Sequence, residues 1–158
     1  MIASQSAAGH FSAMIYLAPR GDGKYDVLGA TKKRFPNEVC FPGGTNKNAD
    51  WENPAQTLVR EAGEETGLIP SRWTLVHVEQ ARWHKKYFFV CHEVTGEFDG
   101  PKEFTDTDGD QLTVRFWDLA EFDQHLFRNH REAFMKVCSF LRSHDRNFET
   151  NYPEICRK

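Results

Sequence analysis

No stretch of this sequence approaches 18 consecutive apolar residues, so no membrane-spanning helix is expected. Cysteine is scarce: Cys40, Cys91, Cys138 and Cys156 lie far apart and form no Cys-x-x-Cys pair, which argues against a zinc ribbon. Cys91 and Cys138 sit in apolar runs and read as small buried hydrophobes. An excess of one charge is also missing. Lys and Arg number 20 against 23 Asp and Glu, a net charge of -3, and there is no long basic stripe. Nothing therefore pulls the chain as a whole toward nucleic acid or a membrane, and a polyanionic ligand would have to meet local basic groups or a metal. The start, Met1-Ile2-Ala3-Ser4-Gln5, has neither a charged segment nor an apolar core, so a signal peptide is not expected and the cytoplasm is the default location. Repeats and linkers are absent. With 158 residues, 39% hydrophobic and 27% charged, the expectation is one globular domain over 1–158, with 1–8 and 145–158 peripheral.

What the sequence does have is a concentration of acid in Arg60-Glu61-Ala62-Gly63-Glu64-Glu65-Thr66-Gly67-Leu68. Asn53-Pro54 reads as a helix start and Gly67 as its stop. On that helix Glu61, Glu64 and Glu65 stand at i, i+3 and i+4, about 5–6 Å apart at Cβ. Two charges at that spacing repel by about 3 kcal/mol at an effective dielectric near 20. Most charged triplets on helices are simply solvated. A triplet set this tightly is relieved by a cation, and oxygen ligands at short spacing suit Mg²⁺ or Mn²⁺ rather than zinc. Gly63 costs the helix about 1 kcal/mol relative to Ala. Ala55, Leu58 and Ala62 form a narrow apolar stripe on another side.

Along the chain, His10 to Leu17 reads as a strand, and Lys24 to Ala30 as its hairpin partner across Pro19-Arg20-Gly21-Asp22-Gly23. Thr31-Lys32-Lys33-Arg34 is a basic run, either a solvated loop or an attractor for phosphate. Val39-Cys40-Phe41 is a short strand running into Pro42-Gly43-Gly44, where two glycines permit close approach of backbone to a ligand. After a turn at Pro70-Ser71, Trp73 to Arg82 and Lys85 to Val94 read as strands, the second buried on both faces. Thr95 to Gly109 is a long polar segment, of the kind that is often functional. Gln111 to Trp117 is a strand. Phe134, Val137, Cys138 and Leu141 mark an amphipathic helix over roughly 128–144, a stripe best explained as core. Strands alternating with two helices suggest an α/β or α+β sheet with helices on both faces.

The segment Gly44…Glu52…Arg60-Glu61-Ala62-Gly63-Glu64-Glu65-Thr66-Gly67-Leu68, preceded by Phe41-Pro42-Gly43-Gly44, resembles the Nudix box. That box is a Gly, five residues, a Glu, seven residues, then Arg-Glu-U-x-Glu-Glu-x-Gly-U with U aliphatic. From Glu52 onward the match is complete. Seven residues rather than five separate Gly44 from Glu52, an insertion that a surface loop tolerates. The resemblance implies a Nudix-type αβα sandwich with a mixed central β-sheet flanked by helices. It implies a hydrolase acting on phosphoric anhydride bonds, cleaving a nucleoside diphosphate linked to another group with Mg²⁺ or Mn²⁺. Glu61, Glu64 and Glu65 then look like the metal ligands, joined by the carbonyl of Gly43, and Arg60 like the residue that orients a catalytic glutamate.

The general base is open between Glu61 and an acid of the later loop. Asp110 is favoured there because it opens an acidic-then-aromatic strand, with Glu103 and Asp108 as rivals. Phe41, Trp83, His84 and Tyr87 are candidates to border a base, and Arg20, Lys85 and Lys86 to meet phosphates, though each is as well explained by core, rim or solvated surface. Gly44 and Glu52 complete the substrate-side set. No extra signature of NADH or coenzyme A enzymes stands out, and the compact chain with its modest aromatic surroundings suits a (d)NTP or modified nucleotide, as in MutT-like enzymes, while ADP-ribose, dinucleoside polyphosphates and capped RNA stay open. The partner expected is a small-molecule nucleotide, with no membrane and no nucleic acid, and a homodimer stays open. A non-catalytic nucleotide-sensing module is the contrasting reading, and the intact box argues against it.

Overall fold

The strand expected from His10 to Leu17 is broken at Tyr16, and the break separates two sheets. In the computed structural model, which describes residues 9–46, 52–82, 84–106 and 109–156, β1 spans His10–Ile15 and β2 spans Leu17–Pro19. The chain continues through β3 (Tyr25–Lys32), β4 (Gly43–Thr45), helix α1 (Pro54–Thr66), β5 (Ile69–Gln80), β6 (Lys85–Thr95), β7 (Lys102–Thr105) and β8 (Gln111–Asp118). Helix α2 (Leu119–His125), a 3-10 turn (Arg128–His130), α3 (Arg131–His144) and two single-turn helices, α4 (Phe148–Asn151) and α5 (Pro153–Cys156), complete it. The architecture is mixed α+β. Among the described residues no helix is long and apolar enough to cross a membrane.

Two compact units result, one built from Met1–Ile15 and Pro42–Asp99, the other from Tyr16–Phe41 and Gly100–Lys158. The first holds a mixed sheet in the order β4-β1-β6-β5, in which β1 and β6 run parallel and the other neighbours antiparallel. Phe88, Phe89, Val90 and Cys91 of β6 are all buried, which is why that strand reads as an unbroken apolar run. Ala13, Met14 and Ile15 of β1 and Leu58 and Ala62 of α1 join them in the core. Strand β5 begins at Ile69, where a turn at Pro70-Ser71 was expected. It is the edge strand, with register shifts near Pro70 and Arg72, and an edge tolerates a proline that has no N–H to pair.

The second unit holds an antiparallel sheet in the order β2-β3-β8-β7. Strand β7 lies within the segment Thr95 to Gly109, whose polarity concealed it. Leu112, Val114 and Trp117 of β8 are buried, as are Leu119 and Phe122 of α2 and Phe134, Val137, Cys138 and Leu141 of α3. The end of the chain, expected to be peripheral, buries Phe148, Tyr152 and Ile155. Its polar residues face outward and its three large side chains face in.

Candidate active site

Helix α1 is set at both ends by its own sequence. Asn53 caps it in a reciprocal box with Gln56, Pro54 opens it, and Gly67 closes it at φ 80°, donating its N–H to the Gly63 carbonyl. The helix packs on β1, β4 and β5 of its unit. A Cβ on Gly63 would stand 2.8 Å from the Cδ1 of Ile69, so this helix-interior glycine marks a close approach to β5.

Arg60 is the hub of the acidic face. Its Nε donates to Glu52 Oε2 at 2.8 Å and its Nη2 to Glu52 Oε1 at 2.8 Å, a bidentate pair. Nη2 also reaches the Thr45 carbonyl at 3.0 Å, while Nη1 reaches Glu61 Oε1 and Glu64 Oε1, each at 3.1 Å. A guanidinium has five N–H groups, and here they meet six acceptor atoms, Glu64 Oε2 at 3.2 Å being the sixth. Arg60 is thus fully engaged with the protein: it positions carboxylates and keeps no donor for a substrate. Its carboxylate partners hold its pKa above the ordinary arginine value.

Glu65 is 7% exposed. Burial pushes its carboxyl up to about 10, helped by a hydrogen bond and close charge from Glu61; an N–H donated by Gly43 acts in the opposite sense. Three carboxyls, those of Glu52, Glu61 and Glu64, meet one guanidinium and Glu65 lies against Glu61, an excess of three negative charges if all four are ionised. Gly44 lies directly against Glu61: a Cβ there would overlap the Glu61 carboxyl carbon and both its oxygens. Glu65 is buried, Glu61 partly covered and Glu64 exposed, and carboxylate oxygens with excess negative charge match a hard divalent cation in donor type.

The other residues singled out in the sequence take different places. Glu52 turns inward, binding Arg60 and accepting from the Thr57 hydroxyl at 2.8 Å, so its role is support and not substrate contact. Tyr87 is half-buried, edge-on to the His10 ring at 6.0 Å. His84 and Lys86 are partly covered and Lys85 is exposed. Trp83 and Asp108 lie outside the described residues. In the second unit Phe41 is 1% exposed, packed on Phe122 and stacked on His130 at 5.7 Å, so it is core and not a surface for a base. Arg20 is paired with Asp22, Asp26 and Asp118. Asp110 is gripped by Arg34 at 2.6 Å and by Lys32 at 3.3 Å. The Arg34 hydrogen bond leads in holding its carboxyl below the usual range, which makes it a poor proton acceptor. Glu103 is exposed on β7. The basic run 31–34 therefore serves an ion pair with Asp110 within its own unit.

Two residues of the site carried no flag in the sequence. Thr57 has a faint signal, since Thr57, Arg60, Glu61 and Glu64 follow helical spacing. His10 has none: its ring Nε2 meets the Thr57 hydroxyl at 2.7 Å across 47 residues of chain.

The NUDIX domain family model matches residues 10–138. The peroxisomal coenzyme A diphosphatase ndx-8 of Caenorhabditis elegans is 28% identical over 144 residues, covering 89% of this chain and 59% of that protein. The peroxisomal coenzyme A diphosphatase NUDT7 of Mus musculus is 40% identical over 76 residues, 46% of this chain and 32% of that one. The chain spans 59% or less of the length of these curated relatives. Among solved structures, one from a study of MutT of Aliivibrio salmonicida and Vibrio cholerae superposes with a TM-score of 0.61 at 18% identity, over 82% of this chain and 96% of that one. The NUDIX domain of Shewanella oneidensis NrtR, solved with ADP ribose, does so with a TM-score of 0.60 at 17% identity, over 84% and 87%. These two likenesses concern the fold.

Proposed function

The chain belongs to the NUDIX family, and from that premise we propose that it hydrolyses the pyrophosphate bond of a nucleoside diphosphate joined to a second group, using Mg²⁺ or Mn²⁺ held by Glu61, Glu64 and Glu65. The observation that carries this reading is the contact of the buried Glu65 carboxyl with that of Glu61 in a negatively overcharged site beside Gly43 and Gly44. We read the chain as a single domain because the family match runs without interruption through both units.

A bound divalent ion supplies charge neutralisation on the phosphates and a more acidic attacking water. The protein's own share is positional. Arg60 fixes the directions of the Glu61 and Glu64 oxygens. Gly44, lacking a side chain, leaves the Glu61 carboxylate its place. Glu61 is the residue assigned to accept a proton, because Asp110 is neutralised by two cations. The carbonyl of Gly43 is a further ligand in this reading, beside the N–H that it gives to Glu65.

Two substrate classes are separable. The first is ADP joined through its diphosphate to another group, supported by the names of the curated relatives. The second is a (d)NTP or modified nucleotide, the class expected from the resemblance to MutT-like enzymes. A panel of coenzyme A, ADP-ribose and dNTPs with each metal, with products identified by mass, distinguishes them. Glu65→Gln should leave the protein folded and abolish metal-dependent turnover. Full turnover in that variant would remove the assignment.

A further inference from the structure

The polar packing between β1 and the first half of α1 is not needed to hold a strand on a helix. His10, Ser12 and Thr57 are 7%, 0% and 0% exposed, in a place where apolar side chains would pack without desolvation cost. Ser12 donates to the Pro54 carbonyl at 2.7 Å and so tethers the first turn. His10 and Thr57 do something else. A hydroxyl has one proton, and Thr57 gives it to Glu52 Oε1 at 2.8 Å, because a carboxylate can only accept. The Thr57 oxygen must then accept at its other contact, so the His10 Nε2 at 2.7 Å carries the proton. The direction of every bond is thereby set, running from His10 to Thr57 to Glu52. Glu52 ends the series on Arg60, whose remaining N–H groups hold Glu61 and Glu64.

We propose that His10 and Thr57 are positioning residues: His10 acts through Thr57 and Glu52 to fix the plane of the Arg60 guanidinium, and through it the Glu61 and Glu64 carboxylates. Without the Thr57 hydroxyl, Glu52 Oε1 loses the donor that sets its carboxylate plane against the guanidinium. Its bidentate grip on Arg60 then loosens, and the acids of the site lose their common orientation. The inference rests on the metal-dependent reading above.

The test is a titration of the metal-free protein with Mn²⁺, followed by the EPR signal of the free ion, in wild type, Thr57→Val, Thr57→Ser and Glu64→Gln. Thr57→Val keeps the shape of the side chain and removes the hydroxyl. Partners one step removed from metal ligands typically change affinity by about 10- to 100-fold. Thr57→Val, which acts on the ligands only through Glu52 and Arg60, should weaken Mn²⁺ binding by about 10-fold, the lower end of that range, with far-UV circular dichroism unchanged, and Thr57→Ser should restore it. In turnover, kcat should fall more than KM rises. Wild-type affinity in Thr57→Val, or equal weakening in Thr57→Ser, overturns the proposal while leaving the metal site standing, provided Glu64→Gln loses binding. Absence of Mn²⁺ binding in wild type removes the metal reading and the proposal together. Nitrogen-15 NMR of the His10 ring gives a test on unmutated protein: the Nε2–H form is expected, and the Nδ1–H form breaks the series.

Discussion

Gly44 and His10 show how much of this site depends on single side chains, one by its absence. Because Gly44 lies against the Glu61 carboxyl, Gly44→Ala should displace that group by a good part of an ångström. Shifts of about 1 Å at a reacting centre cost on the order of 10²-fold in rate. Metal-dependent turnover should fall by about that factor while thermal melting changes little, and a fully active variant would contradict the placement of Glu61. His10 gives a pH dependence. Burial holds its pKa below the ordinary 6.5, the nearby Glu52 opposing this and His84 reinforcing it. The native state therefore favours neutral His10. The stability that this contributes is present above about pH 6.5 and is lost as pH falls through the lowered folded-state value. Thermal melts from pH 8 to pH 5 should decline more steeply for wild type than for His10→Gln; parallel declines would mean that His10 is not held neutral.

At the scale of elements, helix α1 is the best specified part of the chain, and its caps are local chemistry. Gly67 ends it in the left-handed region, where a side chain costs about 1–2 kcal/mol. Gly67→Ala should lower the melting temperature by about 2–8 °C, taking about 2–4 °C per kcal/mol for a chain of this size. An unchanged melting temperature would mean that the cap is not strained by Cβ. Strands were less legible. The run in β6 could be read because burial on both faces leaves it uniformly apolar. Strand β7 was missed because its register is set by pairing with β8, from Lys102 opposite Val114 to Thr105 opposite Gln111, and not by an apolar pattern of its own.

At the scale of the molecule, the end of the chain is structural. Tyr152 accepts from the Tyr25 N–H at 2.8 Å, and the Tyr25 hydroxyl donates to Asp145 at 2.8 Å, tying the segment 145–152 to β3. Phe148 is fully buried. Phe148→Ala should cost about 3–5 kcal/mol and lower the melting temperature by about 6–20 °C. A loss near zero would return this segment to the periphery.

The acidic face proposed to hold metal could be read in one dimension because one helix carries it: a 3.6-residue period that short-range hydrogen bonds impose sets Glu61, Glu64 and Glu65 within a turn of one another. The caps, the core stripe of α3 and the family membership were legible for the same reason, as patterns over a few turns. Beyond Arg60, Glu52 and the two glycines, what lies around those acids was not. Phe41, Arg20 and Asp110 had the chemistry of substrate contacts, and the fold gave them to a stacked core and to ion pairs with Asp22, Asp26, Asp118, Lys32 and Arg34. His10 had no motif around it, and pairing of β1 with β4 and β6 set it against Thr57. A side chain's type states which bonds it can make; which of them it does make depends on neighbours that only long-range packing supplies.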